Sequence, residues 1–279
     1  MDQTGIVGFI LIAMNCVVSF FGLRNASIIE KYCFEVAPIL VKKDVKRLIT
    51  SGFFHVSWLH LIFNMFSLYF FSRLLEDKVG HVIFLLIYMV SLVGGNLLAL
   101  FIHRNNGYYR AVGASGAVSG VIFSSIALFP GINLHLFLLP IDIPGWLFGA
   151  VYVLITIYGI RSKRTNIGHE AHLGGALAGM LLAIAFYPQV ITENYLAILF
   201  ITIPSIVFII LVALKPGMLI FSKPAARNLQ NYTIDDLYNE EKVNSEKEID
   251  RILEKIHTRG IDSLTAREKE ILDAYSSKK

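Results

Sequence analysis

Residues 170–187 read EAHLGGALAGMLLAIAFY, an apolar run that opens with a histidine followed by glycines in helical spacing. The run is long enough to cross the hydrocarbon core of a bilayer as a helix, which takes about 17–25 residues. A polar side chain is costly in lipid, so His172 indicates a helix that faces the inside of a bundle and carries function. The stretch predicts a membrane protein with a functional site among its helices.

The composition agrees with a membrane protein. Of the 279 residues, 55% are hydrophobic and 16% charged, whereas soluble domains are nearer about 45–50% apolar and about 25% charged. The net charge of +4 is modest and dispersed, which excludes a nucleic-acid-binding footprint. Two cysteines, Cys16 and Cys33, are too few for a disulfide framework.

Seven segments are long and apolar enough to be spans, and only helices suit them because no alternating barrel pattern is present. The first follows a start without Lys or Arg, which favours a retained span over a signal peptide. The fold class predicted is an all-α polytopic membrane protein with spans at 5–23, 59–75, 82–102, 112–129, 144–160, 170–187 and 194–214.

Two regions lie outside these spans. The connection 24–58 is long enough to be functional or to carry structure of its own. The tail 216–279 is rich in charge and contains two capping-box patterns, beginning at Ser245 and Thr265, each followed by an apolar helical face. The tail is therefore predicted to be a small helical hairpin outside the membrane.

The polar residues within the spans share one depth. Successive spans alternate in direction, so the second, fourth and sixth run parallel. His60 and Asn64 lie near the start of the second, Ser115 near the start of the fourth, and His172 near the start of the sixth. These three spans are expected to be central, with their polar groups converging at one side of the membrane.

The residue types suit acyl transfer. A serine hydroxyl becomes a good nucleophile when a neighbouring base, usually histidine, takes its proton. His60 and Asn64, four residues apart on one helical face, can donate hydrogen bonds to a developing oxyanion. Glu170 points about 160° away from His172 around a regular helix, so a Ser115–His172 dyad is predicted. His169 is the alternative candidate for the general base. For each of these residues taken alone, a polar contact that holds neighbouring helices together is the alternative explanation.

The glycines give a second signal. Gly116 and Gly120 are four residues apart in the fourth span, and Gly175 and Gly179 repeat this spacing in the sixth. Such pairs let helices approach closely in lipid. A hydrogen bond of about 2.6–3.2 Å between nucleophile and base needs a close approach of this kind.

Together these motifs resemble the rhomboid family of intramembrane serine proteases, over about residues 5–190. The motifs occur in the family's order, each at the start of its expected helix: His55-x-x-x-x-His60-x-x-x-Asn64, Gly113-Ala114-Ser115-Gly116 and Ala171-His172-Leu173-Gly174-Gly175-x-x-x-Gly179. A single GxSG is nonspecific, whereas the set is highly specific.

The resemblance implies a role for each matching residue. Ser115 would attack the scissile carbonyl, with His172 as general base and then acid. His60, Asn64 and the backbone N–H of Ser115 would form the oxyanion hole. Supporting roles fall to residues that shape or brace the site: Gly113, Gly116, Gly175, Gly179, Arg47 of the first loop, and His55.

Two positions depart from the family pattern. Lys46 stands where the family usually has a tryptophan beside the loop arginine. Ser119 occupies a position that in some members holds an aromatic residue stacked on the catalytic histidine. The resemblance therefore leaves open how His172 is held.

The resemblance also implies an organisation and a task. It predicts a rhomboid-like six-helix catalytic domain at 1–190, an additional span at 191–215 and the extramembrane tail at 216–279. The task would be cleavage of transmembrane segments of single-span membrane proteins, without a cofactor or metal. A catalytically inactive rhomboid-like binder of membrane proteins is the alternative.

Two aspects of its placement follow as expectations. A multi-pass protein of a bacterial-type plasma membrane is predicted. Family topology places the amino terminus in the cytoplasm. It also places outside the cell the loops that contain the basic residues Arg104, Arg110, Arg161, Lys163 and Arg164. The positive-inside rule expects such loops in the cytoplasm and therefore favours the inverted orientation.

Overall fold

The computed structural model describes residues 5–135, 142–162 and 167–214, with isolated positions 252, 255, 256 and 265 in the tail. The chain divides into two compact units, residues 1–226 and residues 227–279. The elements and sites below belong to the first unit. In the tail, the described positions Ile252, Lys255 and Ile256 are helical, and the rest of the predicted hairpin lies outside the described residues.

The described part of the first unit is built from helices, with two short antiparallel strand pairs. In chain order the elements are α1 (Ile6–Arg24), α2 (Ala26–Tyr32), β1 (Phe34–Glu35), α3 (Val36–Leu40), α4 (Arg47–Thr50), α5 (Trp58–His103), β2 (Arg110–Ala111), α6 (Ser115–Leu128), β3 (Asn133–His135), β4 (Asp142–Pro144), α7 (Gly145–Ser162), α8 (His169–Phe186), α9 (Val190–Glu193) and α10 (Tyr195–Leu214).

The predicted spans coincide with these helices. Among the described helices, α1, α5, α8 and α10 are long and apolar enough to cross a membrane, while α6 and α7 are shorter apolar helices. The protein is therefore an all-α, multi-pass integral membrane protein, as its composition predicted. Apolar side chains on the outer faces of α1, α7 and α10 are exposed, which suits surfaces that meet lipid.

The second and third predicted spans form one element, α5, broken at Gly80. A straight helix of 46 residues would be about 69 Å long, more than twice the roughly 30 Å of the hydrocarbon core. Gly80 has φ 79° and ψ 165°, a conformation that is strained for any residue with a Cβ. Gly80 therefore separates two helical segments, 58–79 and 81–103.

Contacts along α1 show that these segments run in opposite directions. At the start of α1, the Glu76 carboxylate accepts hydrogen bonds from the backbone N–H groups of Val7 and Gly8, at 2.9 and 3.0 Å. Near the other end of α1, the Phe20 ring packs against Trp58, the first residue of α5, with centroids 6.3 Å apart. In the middle of α1, the Asn15 amide donates to the Tyr88 hydroxyl of segment 81–103 at 3.2 Å. The chain thus reverses near Gly80, as two separate spans require.

The second predicted span is not central, which corrects one expectation. Its buried side chains form a single stripe, and the rest of its surface exposes large apolar residues such as Leu59, Ile62, Phe63 and Phe70. The segment 81–103 packs instead inside the bundle, where Phe84, Ile87 and Tyr88 are fully buried. Apolar side chains that face lipid tails cost no free energy. Hydropathy alone therefore does not show which spans lie at the centre of the bundle.

The fourth predicted span is the central one. Twelve of the 14 residues of α6 are buried, and the helix packs against both α5 and α8. Small residues make this possible: a Cβ added to Gly120 would overlap Ser91 of α5 and lie 2.9 Å from the Gly175 carbonyl oxygen of α8. The start of α6 is therefore held by helices on two sides.

The connecting segments carry structure of their own. Residues 24–58 form α2, β1, α3, α4 and a 3-10 turn at Ser51–Phe53. Phe34 of β1 pairs with Ala111 of β2, which ties this connection to the chain just before α6. A second antiparallel pair, β3 and β4, links α6 to α7.

The seventh span packs on the bundle through α7 and the end of α6. The Asn194 amide, just before α10, donates to the Ile126 carbonyl at 2.6 Å near the carboxyl end of α6. This bond satisfies one of the carbonyls that a helix end leaves unpaired. A Cβ on Gly149 of α7 would overlap Ile201 of α10, so these two helices lie in close contact.

Candidate active site

Ser115 is the first residue of α6 and is half-buried. The turn before it depends on Gly113, whose φ of 140° lies in a region that L side chains rarely adopt. The Gly113 N–H donates to the Ser51 carbonyl at 3.0 Å. This arrangement places the Ser115 hydroxyl at the end of a central helix rather than inside it.

His60 lies beside this turn. A Cβ on Gly113 would be 2.8 Å from Cε1 of His60, 3.1 Å from its Nε2, and 3.6 Å from the Ser115 hydroxyl oxygen. The imidazole and the hydroxyl therefore flank the same point, which a side chain at residue 113 would fill. Among the described residues, the buried Nδ1 of His60 has no hydrogen-bond partner.

Asn64 lies one turn after His60 in α5, as the sequence spacing predicted. Its amide nitrogen donates to the His60 carbonyl at 2.9 Å, and the residue is 7% exposed. An amide has two N–H donors, so this bond occupies one and leaves the other for a ligand. The side chain is thus partly committed to its own helix, which the spacing did not indicate.

His55 contacts the turn at Gly113 and Ala114 that precedes Ser115. Its Nε2 accepts from the Ala114 N–H at 3.4 Å, and its Nδ1 lies 2.8 Å from the Ser19 hydroxyl. The ring also packs edge-on against His60, with centroids 4.9 Å apart. Burial, helped by the neighbouring His60, lowers the pKa of His55 to about 3. His55 is consequently neutral at physiological pH and links α1 to Ala114, the residue before Ser115.

His172 lies in the first turn of α8 and is half-buried. Its ring stacks on Tyr152 with centroids 6.3 Å apart and planes at 26°, and His169 packs edge-on at 6.1 Å. Within the described residues, no hydrogen bond joins the Ser115 hydroxyl to the His172 ring. Catalytic hydrogen bonds are often long in ligand-free proteins and tighten when substrate binds.

A close crossing of α6 and α8 lies directly beside Ser115 and His172 in the chain. A Cβ on Gly116 would lie 3.1 Å from the Ala171 carbonyl oxygen, and a Cβ on Gly175 would overlap the Gly116 carbonyl. Gly116 directly follows Ser115, and Ala171 directly precedes His172. The two candidate catalytic residues are therefore chain neighbours of a backbone-to-backbone contact.

Glu170 is engaged away from the candidate base. Its Oε1 lies 2.8 Å from Nε2 of His103, and its Oε2 accepts from the Tyr109 hydroxyl at 3.3 Å. The rings of His103 and Tyr109 stack with centroids 3.5 Å apart. Burial and the Glu170 charge raise the pKa of Tyr109, so its hydroxyl stays protonated and donates. The carboxylate joins α8 to the end of α5.

Tyr152 is the site residue that the sequence patterns did not reveal. It belongs to α7, where no motif singles it out among the other aromatic residues. One feature of the sequence pointed to such a residue. Ser119 stands where an aromatic residue of α6 would otherwise stack on His172, so an aromatic residue from another helix was needed. The Tyr152 hydroxyl lies 2.8 Å from the Ser119 hydroxyl. The aromatic ring that stacks on His172 therefore comes from α7 and lies next to Ser119.

Arg47 organises the first connection. Its guanidinium donates to the Cys33 carbonyl at 2.7 Å and to the Glu30 carbonyl at 3.2 Å, and it pairs with Asp44 at 3.0 Å. Only 11% of its side chain is exposed. The neighbouring Lys46, which replaces the family's tryptophan, is 67% exposed. The Arg47 side chain, unlike that of Lys46, therefore anchors this segment.

Replacing Arg47 with lysine should destabilise this connection. The lysine ammonium group lacks the planar geometry by which the Arg47 guanidinium binds two carbonyls and a carboxylate at once. We expect a loss of about 1.5–3 kcal/mol in the free energy of unfolding, measured by thermal unfolding in detergent micelles. The matched control Lys46→Ala should change it by less than about 0.5 kcal/mol; equal losses in both variants would contradict the anchoring role.

The described residues contain no group of three or more His, Cys, Asp or Glu side chains arranged to hold a metal ion. The polar groups at the site are instead a hydroxyl, imidazoles and an amide. Such groups exchange protons and donate hydrogen bonds, the two tasks that acyl transfer requires.

Comparison with known families agrees with the motifs. Residues 42–189, more than half of the chain, match the family model described as the rhomboid domain. The chain belongs to the rhomboid family. Residues 232–278 match a second family model, described as a family of unknown function (DUF6576).

The individual relatives share about a third of their residues or fewer with this chain over the aligned regions. The chain is 32% identical to RHOMBOID-like protein 12, mitochondrial, of Arabidopsis thaliana, over 46% of this chain and 43% of that protein. It is 31% identical to Rhomboid protein 1, mitochondrial, of Saccharomyces cerevisiae, over 62% and 51%. It is 27% identical to Rhomboid-like protease 3 of Toxoplasma gondii, over 76% and 78%. The chain thus spans about half the length of the first two relatives.

Proposed function

We propose that this protein is an intramembrane serine endopeptidase that cleaves transmembrane segments of other membrane proteins. The observation that carries the proposal is the α6–α8 crossing, where Gly116 contacts the backbone at Ala171. Ser115 and His172 are the adjacent residues at this contact. Placement on two closely packed helices supports a dyad, which requires the two side chains to come within hydrogen-bond reach when substrate is bound.

The chemistry proposed has two stages. In the first, His172 takes the proton of the Ser115 hydroxyl as the serine oxygen attacks the scissile carbonyl, and then gives the proton to the leaving amine. In the second, His172 takes a proton from a water molecule as the water oxygen attacks the acyl ester, and gives that proton to the Ser115 oxygen when the ester bond breaks. With Glu170 engaged by His103 and Tyr109, a dyad fits better than a three-residue relay.

The oxyanion of each tetrahedral intermediate needs hydrogen-bond donors. The His60 ring beside Gly113, the second N–H of the Asn64 amide and the backbone N–H of Ser115 are the proposed donors. Removing one such donor in serine hydrolases costs about 2.7–4 kcal/mol of transition-state stabilisation. The Nε2 atom of His60 supports its assignment, because it lies 3.1 Å from the point beside Gly113 that is also 3.6 Å from the Ser115 hydroxyl oxygen.

The proposed substrate is a single-span membrane protein. Peptide hydrolysis needs an extended backbone, so the cut site should contain helix-destabilising residues, and no metal or cofactor takes part. We assign catalysis to 1–190, an added span to 191–215 and an extramembrane domain to 216–279. The bacterial-type plasma membrane stays a prediction, and the mitochondrial names of two relatives do not support it.

The alternative is an inactive rhomboid-like protein that binds membrane proteins without cutting them. The presence of both Ser115 and His172 favours the protease. In vesicles containing the purified protein and a single-span reporter, we expect two fragments with the wild type and none with Ser115→Ala. Binding of the reporter without fragments in both proteins would support the binder and contradict the protease.

A further inference from the structure

One aromatic side chain contacts the proposed base directly and the proposed nucleophile through one intervening serine. The ring of Tyr152 stacks on the His172 ring, with centroids 6.3 Å apart and planes at 26°. Its hydroxyl lies 2.8 Å from the Ser119 hydroxyl. Ser119 in turn donates to the Ser115 carbonyl at 2.7 Å. A continuous path therefore runs from the proposed base, through Tyr152, to the backbone of the proposed nucleophile.

The His172 ring needs such a contact. An imidazole rotates about two side-chain bonds, and only a narrow range of orientations directs its nitrogen at Ser115. The carboxylate nearest in sequence, Glu170, is engaged by His103 and Tyr109. The face of Tyr152 restricts the rotation of the imidazole because offset-stacked rings at this separation attract each other.

The position of Tyr152 is itself fixed. Ser119 is 3% exposed, so a hydrogen bond to it holds the tyrosine hydroxyl in a low-dielectric environment where such bonds are strong. The rings of Phe123 and Phe148 pack against Tyr152 at 5.1 and 5.9 Å. These aromatic neighbours explain a half-buried ring at this position of α7, but they do not require a hydroxyl.

Building on the proposed protease function, we propose that Tyr152 is a positioning residue, which orients His172 toward Ser115 and is itself oriented by Ser119. It touches no reacting atom. Its loss should therefore slow the chemical step and leave substrate binding unchanged. This assigns to α7 a part in the site that is otherwise built from α5, α6 and α8.

The test compares variants that remove the ring or only the hydroxyl. We expect Tyr152→Leu to lower the rate of fluorophosphonate labelling, and kcat on a single-span reporter, by about 10- to 100-fold with KM unchanged. Tyr152→Phe keeps the stacked ring but loses the hydrogen bond to Ser119, so we expect a smaller loss of about three- to tenfold. No loss in Tyr152→Phe would overturn the orienting role of Ser119. Tyr158→Leu is the matched control on the same helix, because Tyr158 is 65% exposed, and should have no effect.

The outcomes separate this proposal from the protease function. If the wild type is labelled and Ser115→Ala is not, but Tyr152→Leu labels within twofold of the wild type, only the positioning role is overturned. An equal rise in KM with kcat unchanged would also overturn it. Absence of Ser115-dependent labelling in the wild type would overturn both. Should Tyr152→Leu not fold, Tyr152→Met, of similar volume but without a ring, takes its place with the same expected loss.

Discussion

Replacing His172 with alanine is expected to abolish cleavage of a single-span reporter and labelling of Ser115 by a fluorophosphonate. Without a base, the serine hydroxyl keeps its proton and is a poor nucleophile. Loss of the histidine in a serine hydrolase lowers kcat by about six orders of magnitude, so neither fragments nor labelled protein should be detected. The measurements are fragment formation in reconstituted vesicles and in-gel labelling of the purified protein.

His169 provides the matched control. It lies one turn before His172 on the same helix, and its ring packs edge-on against His172 at 6.1 Å. His169 also contacts α7, where a Cβ on Gly159 would overlap its ring. His169→Ala should therefore retain most of the activity. Activity retained in His172→Ala and lost in His169→Ala would exchange the two assignments.

Replacing Gly175 with valine should have the largest effect on the fold. A Cβ at this position would overlap the Gly116 carbonyl oxygen, so α6 and α8 must separate. Overpacking of a tight interior costs about 1–3 kcal/mol or more, and small residues are what allow helices to pack closely in lipid. A separation of 1 Å between nucleophile and base would add about a 100-fold loss of activity.

The measurements are the thermal unfolding midpoint in detergent and the rate of labelling at Ser115. Ala185→Val on the same helix is the control, because Ala185 is exposed and valine there adds the same β-branched side chain without a clash. We expect the control to behave as the wild type. A folded, fully active Gly175→Val protein would mean that the α6–α8 contact does not hold the site together.

Most of the helix positions could be predicted from the sequence. The run 194–214 predicted α10 (Tyr195–Leu214), and 112–129 predicted α6 (Ser115–Leu128). Such runs are readable because a backbone in lipid must satisfy its own hydrogen bonds, which leaves little besides a helix. The spans 59–75 and 82–102 also predicted the reversal near Gly80, because charged residues at 76–78 separate the two apolar runs. The positive φ of Gly80 that makes the turn was not predicted.

The candidate site was predicted in part. The depth of Ser115, His60 and His172 followed from the alternation of spans, and the structure brings the turn at Gly113 against His60. The central placement of the second span was wrong, because apolar residues that face lipid and apolar residues that face the core look alike in sequence. The bond from the Asn64 amide to the His60 carbonyl depends on a rotamer, which no spacing specifies.

The sequence by itself determined that this protein is a bundle of apolar helices with a serine, two histidines and an asparagine at the starts of parallel spans. It could do so because helical rise and alternating direction convert residue number into depth. Only the tertiary structure decided what surrounds those groups: the contact between α6 and α8, and the ring of Tyr152 against His172. Rotation of each helix about its axis sets these contacts, and packing between helices fixes that rotation.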